Sequence, residues 1–218
     1  MTARSDDPLR TAADVMRQVR ERCVWSQRIT HRDLVPYLIE ESHEVIEAVE
    51  GGSRDDLREE LGDLLWQVLF HAAIAAQDPD DPFDIDDVAT TLSEKMVRRH
   101  PHVFAGEVAT TPEEVLVHWN AAKAAEKRTR RSVLDGVPRG MPALALAQKL
   151  VGRAAGAGVV TPAVDDRESQ PLGSEEELGA ALLGLVATAR AHGWDAERAL
   201  RERLRGLEDD VRAAEREG

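Results

Sequence analysis

The chain has 218 residues, 41 of them acidic against 28 Lys or Arg, for a formal net charge of −13. That balance argues against a duplex nucleic-acid partner, whose binding is dominated by neutralised phosphates, and does not exclude a small phosphorylated ligand held by a local basic cluster and a metal. One cysteine, Cys23, excludes an internal disulfide and points to a reducing compartment. The first residues, MTARSDDPLR, lack the apolar run of a signal peptide, and no stretch of about 18 apolar residues is present to span a membrane, so a cytoplasmic protein is expected.

In chain order, residues 9–23 place Leu9, Ala12, Ala13, Met16 and Val19 at helical spacing. The loop CVWSQRITHRDL follows, carrying Trp25, Gln27 and His31, with Thr30 as the expected N-cap of the next helix. In that helix Leu38, Ile39, Val45, Ile46 and Val49 fall in one arc and Glu40, Glu41, Glu44 and Glu47 in the opposite one. Taken alone, it is an amphipathic helix with a solvated acidic face. Gly51-Gly52 breaks it, and LREELGDLLWQVLFHAAIAA (57–76) resumes as a second arm, which makes an antiparallel helical hairpin.

In the second arm Leu57, Leu61, Leu64, Leu65 and Val68 form the expected core stripe. The face that carries Glu60 and Asp63 nevertheless continues through Gln67 into Phe70 and Ile74. A helix apolar nearly all round is a buried one, and unpaired carboxylates at the mouth of an interior surface are costly. Glu41 and Glu44 share one helix face by i,i+3 spacing, as do Glu60 and Asp63. Folding at the glycines brings the pairs to similar heights, and carboxylates that converge in this way make sense mainly around a divalent cation. Glu47 and Glu59 read as ordinary solvated acids.

A Pro/Asp-rich loop, DPDDPFDID, leads into a helix over roughly 84–100, which ends before Pro101. Lys95 and Arg99 lie i,i+4 on its face with Arg98 beside them, the densest basic cluster of an acidic chain. TPEEVLVHWNAAKAAEKRTRR opens another helix with Thr111 as N-cap, Pro112 at its first position and Glu114 completing a capping box; it carries Trp119 and Lys123.

The two halves resemble each other. EELGDLLWQVLFHAA (59–73) recurs as EELGAALLGLVATAR (176–190), and MPALALAQKLVGRAA (141–155) echoes LRTAADVMRQVRERC. In the second copy Ala180 stands at the place of Asp63, and a linker over 156–173 replaces the acidic arm, although Glu177 remains at the place of Glu60. The expected organisation is a helical domain over 1–135 that carries the chemistry and, over 136–218, a degenerate repeat without the metal-binding acids, kept for packing or assembly.

Acids spaced E-E-x-x-E and E-x-x-D, a Lys/Arg cluster and Trp residues suggest a polyphosphate substrate. Hard oxygen ligands suit Mg²⁺, with Mn²⁺ as an alternative occupant. Metal and cations would neutralise charge on the transferred phosphoryl group while a carboxylate accepts a proton from the attacking water. A di-iron bundle is a rival, but Glu40-x-x-His43 has no second Glu-x-x-His on a facing helix. A helical interaction module with a vestigial hairpin is the non-enzymatic rival.

PYLIEESHEVIEAVE and DDLREELGDLLWQVLFHA, followed by EKMVRRHPHVF and HWNAAKAAEK, closely resemble the MazG-type nucleoside triphosphate pyrophosphohydrolases from about Leu9 to Lys127. The RRHPHVF segment and the second repeat favour this type over the related dUTP/dCTP and phosphoribosyl-ATP pyrophosphohydrolases. The resemblance implies an all-α antiparallel helical bundle, usually a homodimer, that hydrolyses (d)NTPs to (d)NMPs and pyrophosphate with Mg²⁺, often to clear non-standard nucleotides. By the same resemblance Glu41, Glu44, Glu60 and Asp63 are the Mg²⁺ ligands, and Glu40 is a further ligand or, with Glu41, a candidate base. Lys95 and Arg99, with Arg98 beside them, would hold the triphosphate, and Trp119, Lys123 and Trp25 would lie at the nucleotide. The loop CVWSQRIT departs from the family by having Val24 and Ser26 where Pro and Asp are usual.

Overall fold

In a computed structural model, residues 7–126, 132–159 and 173–217 are described, with side chains through 206. The chain divides into two compact units, Met1–Glu126 and Lys127–Gly218. All regular secondary structure among the described residues is helical.

The first unit begins with α1 (Pro8–Arg22), for which Asp7 is the N-cap, its carboxylate accepting from the backbone N–H groups of Leu9 and Arg10. A 3₁₀ turn at Ser26–Arg28 and a further turn lead to α2 (Val35–Glu50). Thr30 does not cap α2. Its hydroxyl and backbone N–H bind Asp33 instead, which closes a separate turn, and the helix starts only at Val35 with Pro36 in its first turn.

α2 ends at Gly51, and α3 (Arg54–Ala75) begins behind a capping box in which Ser53 and Asp56 each accept from the other's backbone N–H. Gly52 makes the tight reversal possible: a Cβ there would lie 2.8 Å from the Ala48 Cα. Any larger residue would push the two arms apart and pull the acids out of register.

α1 and α2 both pack on α3. Met16, Leu34, Leu69 and Phe70 form the buried centre, with Ala12, Val19, Leu65, Trp66 and Ile74 against it. Truncating Phe70 to Ala would cost about 3–5 kcal/mol, the usual range for a buried aromatic. Buried Arg20 ties the 3₁₀ loop to the end of α3, its guanidinium donating to the carbonyls of Ser26 and Ile29 and to Gln77.

The expected core stripe of α3 needs correction. Leu61 and Val68 stand 50% and 42% exposed, and on α2 Ile39 and Val49 are exposed as well. The buried face of α3 is the one that runs from Glu60 through Gln67 to Phe70, because α1 reaches α3 from that side and covers Leu69, Phe70 and the alanines beyond.

The rest of the unit is α4 (Ile85–Arg99), capped by Asp84, the short α5 (Pro101–Phe104) and α6 (Pro112–Ala125), capped by Thr111 with Glu114 as expected. The second unit contains α7 (Ala143–Gly156), α8 (Glu175–Ala191) and α9 (Ala196–Glu217), which pack on one another around Val151, Val186 and Ala187. Residues 160–172, the greater part of the expected linker, and 127–131, the expected end of the helix after Thr111, lie outside the described residues.

Candidate metal centre

α2 and α3 carry their acids to one spot. One oxygen each from Glu41, Glu60 and Asp63 lie within 4.8 Å of one another. Glu41 and Glu60 are half-buried and Asp63 is exposed. Glu44, one turn along α2, lies close enough to interact with both Glu41 and Glu60. Glu40, adjacent to Glu41, is exposed and outside the group of three.

The local field is strongly acidic. Burial first, and then the charges of Asp63 and Glu44, push the Glu41 carboxyl above its ordinary range. Glu60 is also raised, first by burial and then by Glu44 and Asp63. Among the described residues no Lys or Arg forms an ion pair with Glu41, Glu60 or Asp63.

The neutral neighbour of these acids is Gln67, only 4% exposed. Its Nε2 donates to Glu41 Oε1 at 3.3 Å, while its own Oε1 is buried without a partner. Leaving such an oxygen unsatisfied costs about 1–3 kcal/mol. In the sequence Gln67 stands out only as a residue between Asp63 and Phe70. Its signal was a polar residue that interrupts an apolar face four places after Asp63 and seven after Glu60.

The basic residues gather elsewhere in the same unit, on α4 and α6. Arg99 is mostly buried: its Nη2 lies 2.6 Å from Glu126 Oε2, and its guanidinium carbon lies 4.8 Å from the centroid of the Trp119 ring. Exposed Arg98 reaches Glu126 at 3.5 Å and Glu94 at 3.9 Å. His100 meets Trp119 edge-on with centroids 5.3 Å apart. Lys95 on α4 and Lys123 on α6 are half-buried. No ion pair or hydrogen bond of Lys95, Arg98 or Arg99 among the described residues reaches the three acids. Trp25 is exposed and packs edge-on against Tyr37 and Phe70, with centroids 6.3 and 6.1 Å away.

Two further features were not legible in sequence. Glu126 engages both Arg98 and Arg99, and His31 and His71 meet Nδ1 to Nδ1 at 2.8 Å with their rings nearly parallel. Burial and the charge of His31 lower the pKa of His71.

Residues 29–104, which contain both arms of the acidic hairpin and the basic end of α4, match the family model described as the MazG nucleotide pyrophosphohydrolase domain. The chain is 36% identical over 230 residues to the nucleoside triphosphate pyrophosphohydrolase of Escherichia coli K12, with 96% of this chain and 87% of that protein covered. The chain belongs to the MazG nucleotide pyrophosphohydrolase family. It is 45% identical over 200 residues to the nucleoside triphosphate pyrophosphohydrolase of Mycobacterium tuberculosis, covering 89% of this chain and 60% of that longer protein. A 26.1 kDa protein in the blaB 3′ region of Streptomyces cacaoi is 50% identical over 202 residues, covering 93% of this chain and 80% of that one.

The group of three acids in the MazG hairpin of this chain offers only oxygen ligands. A set of three carboxylates that has no cationic partner among the described residues, beside a buried oxygen that has no donor among them, fits a hard divalent cation.

Proposed function

We propose that the first unit is a Mg²⁺-dependent nucleoside triphosphate pyrophosphohydrolase, in which water cleaves an NTP or dNTP to the nucleoside monophosphate and pyrophosphate. The observation that carries this reading is the convergence of Glu41, Glu60 and Asp63 within 4.8 Å from two helices, with no Lys or Arg paired to them among the described residues. These three, with Glu44 beside them, would hold the cation. When bound, it would neutralise phosphate charge and lower the pKa of a water molecule. Mn²⁺ satisfies the same ligands.

The roles of the protein's own groups follow from their positions. Glu41, with its raised pKa, and exposed Glu40 next to it are the candidates to accept the proton of the attacking water. Arg99, Arg98 and Lys95 would bind the triphosphate, which requires the substrate to displace Glu126 from Arg99. Trp119, already stacked by Arg99, offers a face for the base, with Lys123 one turn along α6 and Trp25 on the loop before α2. Clearance of non-standard nucleotides is the physiological role we assign.

The second unit lacks an acidic arm and would serve packing or assembly. We also place this chain in a homodimer. Exposed Leu61 and Val68 stand seven residues apart on α3, and a Cβ added at neighbouring Gly62 would meet nothing within 4 Å. That open apolar strip suits a second copy of the same helix.

The deciding experiment is pyrophosphate release from a panel of NTPs and dNTPs with and without Mg²⁺. Metal-dependent turnover of at least one nucleotide is expected, and Glu41→Gln should abolish it. Absence of metal-dependent turnover across the panel, or a Glu41→Gln variant as active as the parent, would remove the proposal.

A further inference from the structure

Gln67 sits where packing alone would put a leucine. The residues around it on the inner face of α3 include Leu69, Phe70 and Ile74, and at 4% exposure its amide is shut off from bulk water. Its nitrogen has one use, the 3.3 Å hydrogen bond to Glu41 Oε1, and its oxygen has none. The amide cannot be turned round to repair this, because the reverse orientation would set the carbonyl oxygen against the Glu41 carboxylate. A buried carbonyl left open beside three acids is an acceptor waiting for a donor that none of the described residues supplies.

The chain contains its own comparison. In the matching stretch of the second unit, where Ala180 stands for Asp63, the place of Gln67 is taken by Gly184. α8 forms and packs there without the amide, and Gly184 is buried. The glutamine is therefore not needed to build this kind of helix into a core. It is present in the unit that carries Asp63 and the acidic arm and absent from the one that keeps only Glu177.

We infer that Gln67 is a positioning residue of the metal centre, its amide nitrogen holding the Glu41 carboxylate in place for a divalent cation and its carbonyl oxygen accepting from a water that the cation retains. Divalent cations such as Mg²⁺ keep part of their hydration shell, and those waters are donors in need of fixed acceptors. Partners of this kind change metal affinity by 10- to 100-fold when removed. The inference rests on the metal-centre reading above and adds a residue to it.

The test uses the full chain without nucleotide and titrates Mn²⁺ alone, with free Mn²⁺ read by electron paramagnetic resonance. Gln67→Leu and Gln67→Met keep the volume and remove both hydrogen-bonding groups. Each should weaken Mn²⁺ binding by about 10- to 100-fold. The thermal midpoint in EDTA should stay level or rise, since an unpaired buried oxygen disappears. A glutamine that served only packing would show the opposite, a lower midpoint with unchanged Mn²⁺ binding. Mn²⁺ binding within threefold of the parent in both variants overturns the inference, and so does failure of both to fold. If the parent itself neither binds Mn²⁺ nor releases pyrophosphate, the metal-centre reading falls and takes the inference with it. If the parent does both and the variants match its Mn²⁺ binding, only the role of Gln67 falls.

Discussion

Glu41→Gln should make the metal-free protein more stable while removing its response to metal. Glu41 is half-buried, and one of its oxygens lies within 4.8 Å of oxygens of Glu60 and Asp63. Two like charges at that separation repel by about 1 kcal/mol when solvent screens them, and Asp63 is exposed enough for that screening to apply. The amide that replaces the carboxylate still accepts from Gln67 Nε2, so the substitution removes charge and little else. The sign follows from the direction of the shift. An acid whose pKa is raised by folding, as for Glu41 and Glu60, binds protons more tightly in the folded chain than in the unfolded one. Its ionisation therefore destabilises the fold as pH rises from the ordinary carboxylate range through the raised folded-state pKa. Relief of about 1 kcal/mol corresponds to a rise of about 2–4 °C in the thermal midpoint for a chain of this size. A cation at a hundred times its dissociation constant would stabilise the parent by about 2.7 kcal/mol and should do almost nothing for the variant. The measurement is thermal unfolding by circular dichroism, in EDTA and in excess Mg²⁺, for parent and variant. A variant that melts below the parent in EDTA, or that gains as much from Mg²⁺ as the parent does, would show that the three carboxylates are not a strained cation site.

Other substitutions test the surroundings of the centre. Glu126→Gln weakens the 2.6 Å pair that occupies Arg99, so the KM for nucleoside triphosphate should fall severalfold with kcat little changed; an unchanged KM would place Arg99 outside the phosphate site. The depressed pKa of His71 lies below 6.5, so the unfolded chain takes up the proton first and stability should drop as pH falls below that value. His31, whose charge contributes to the shift, meets it at 2.8 Å, and Asp78 interacts with His31. Urea midpoints followed down the pH scale should show a slope that His31→Asn makes shallower, and an identical slope in that variant would refute the coupling. Leu61→Asp combined with Val68→Asp should convert a dimer to a monomer by analytical ultracentrifugation while leaving the helical signal intact, because both side chains are exposed within the unit.

Much of the hairpin was legible because its determinants are local. The glycines and the i,i+3 acids act within a few residues, and the structure brings Glu41, Glu60 and Asp63 together, adding a Ser53/Asp56 capping box at the start of α3. The run from Glu60 to Ile74 reads as an interior face in the sequence, but that Leu61 and Val68 would face away from the unit's core was not legible. That helix is apolar nearly all round beyond its first two turns, so periodicity carries no preference, and only the packing of α1 decides it. The same applies to Glu126 on Arg99 and to His31 on His71, which are 27 and 40 residues apart in sequence and are joined by tertiary packing alone.

The inversion on α3 separates two jobs. A glutamine is buried while Leu61 and Val68 are exposed, so neither position is governed by the unit's own core. In the second unit the places of Leu61 and Val68 are held by Leu178 and Leu185, and both are exposed again. There the acid at Asp63 and the amide at Gln67 have been replaced by Ala180 and Gly184. Had the apolar pair been kept for the metal chemistry, it would have no reason to persist where that chemistry is gone. That pattern supports the proposed assembly role for the apolar pair and the inferred metal-centre role for Gln67, and the Mn²⁺ titration and the ultracentrifugation of the Leu61→Asp/Val68→Asp variant test the two separately.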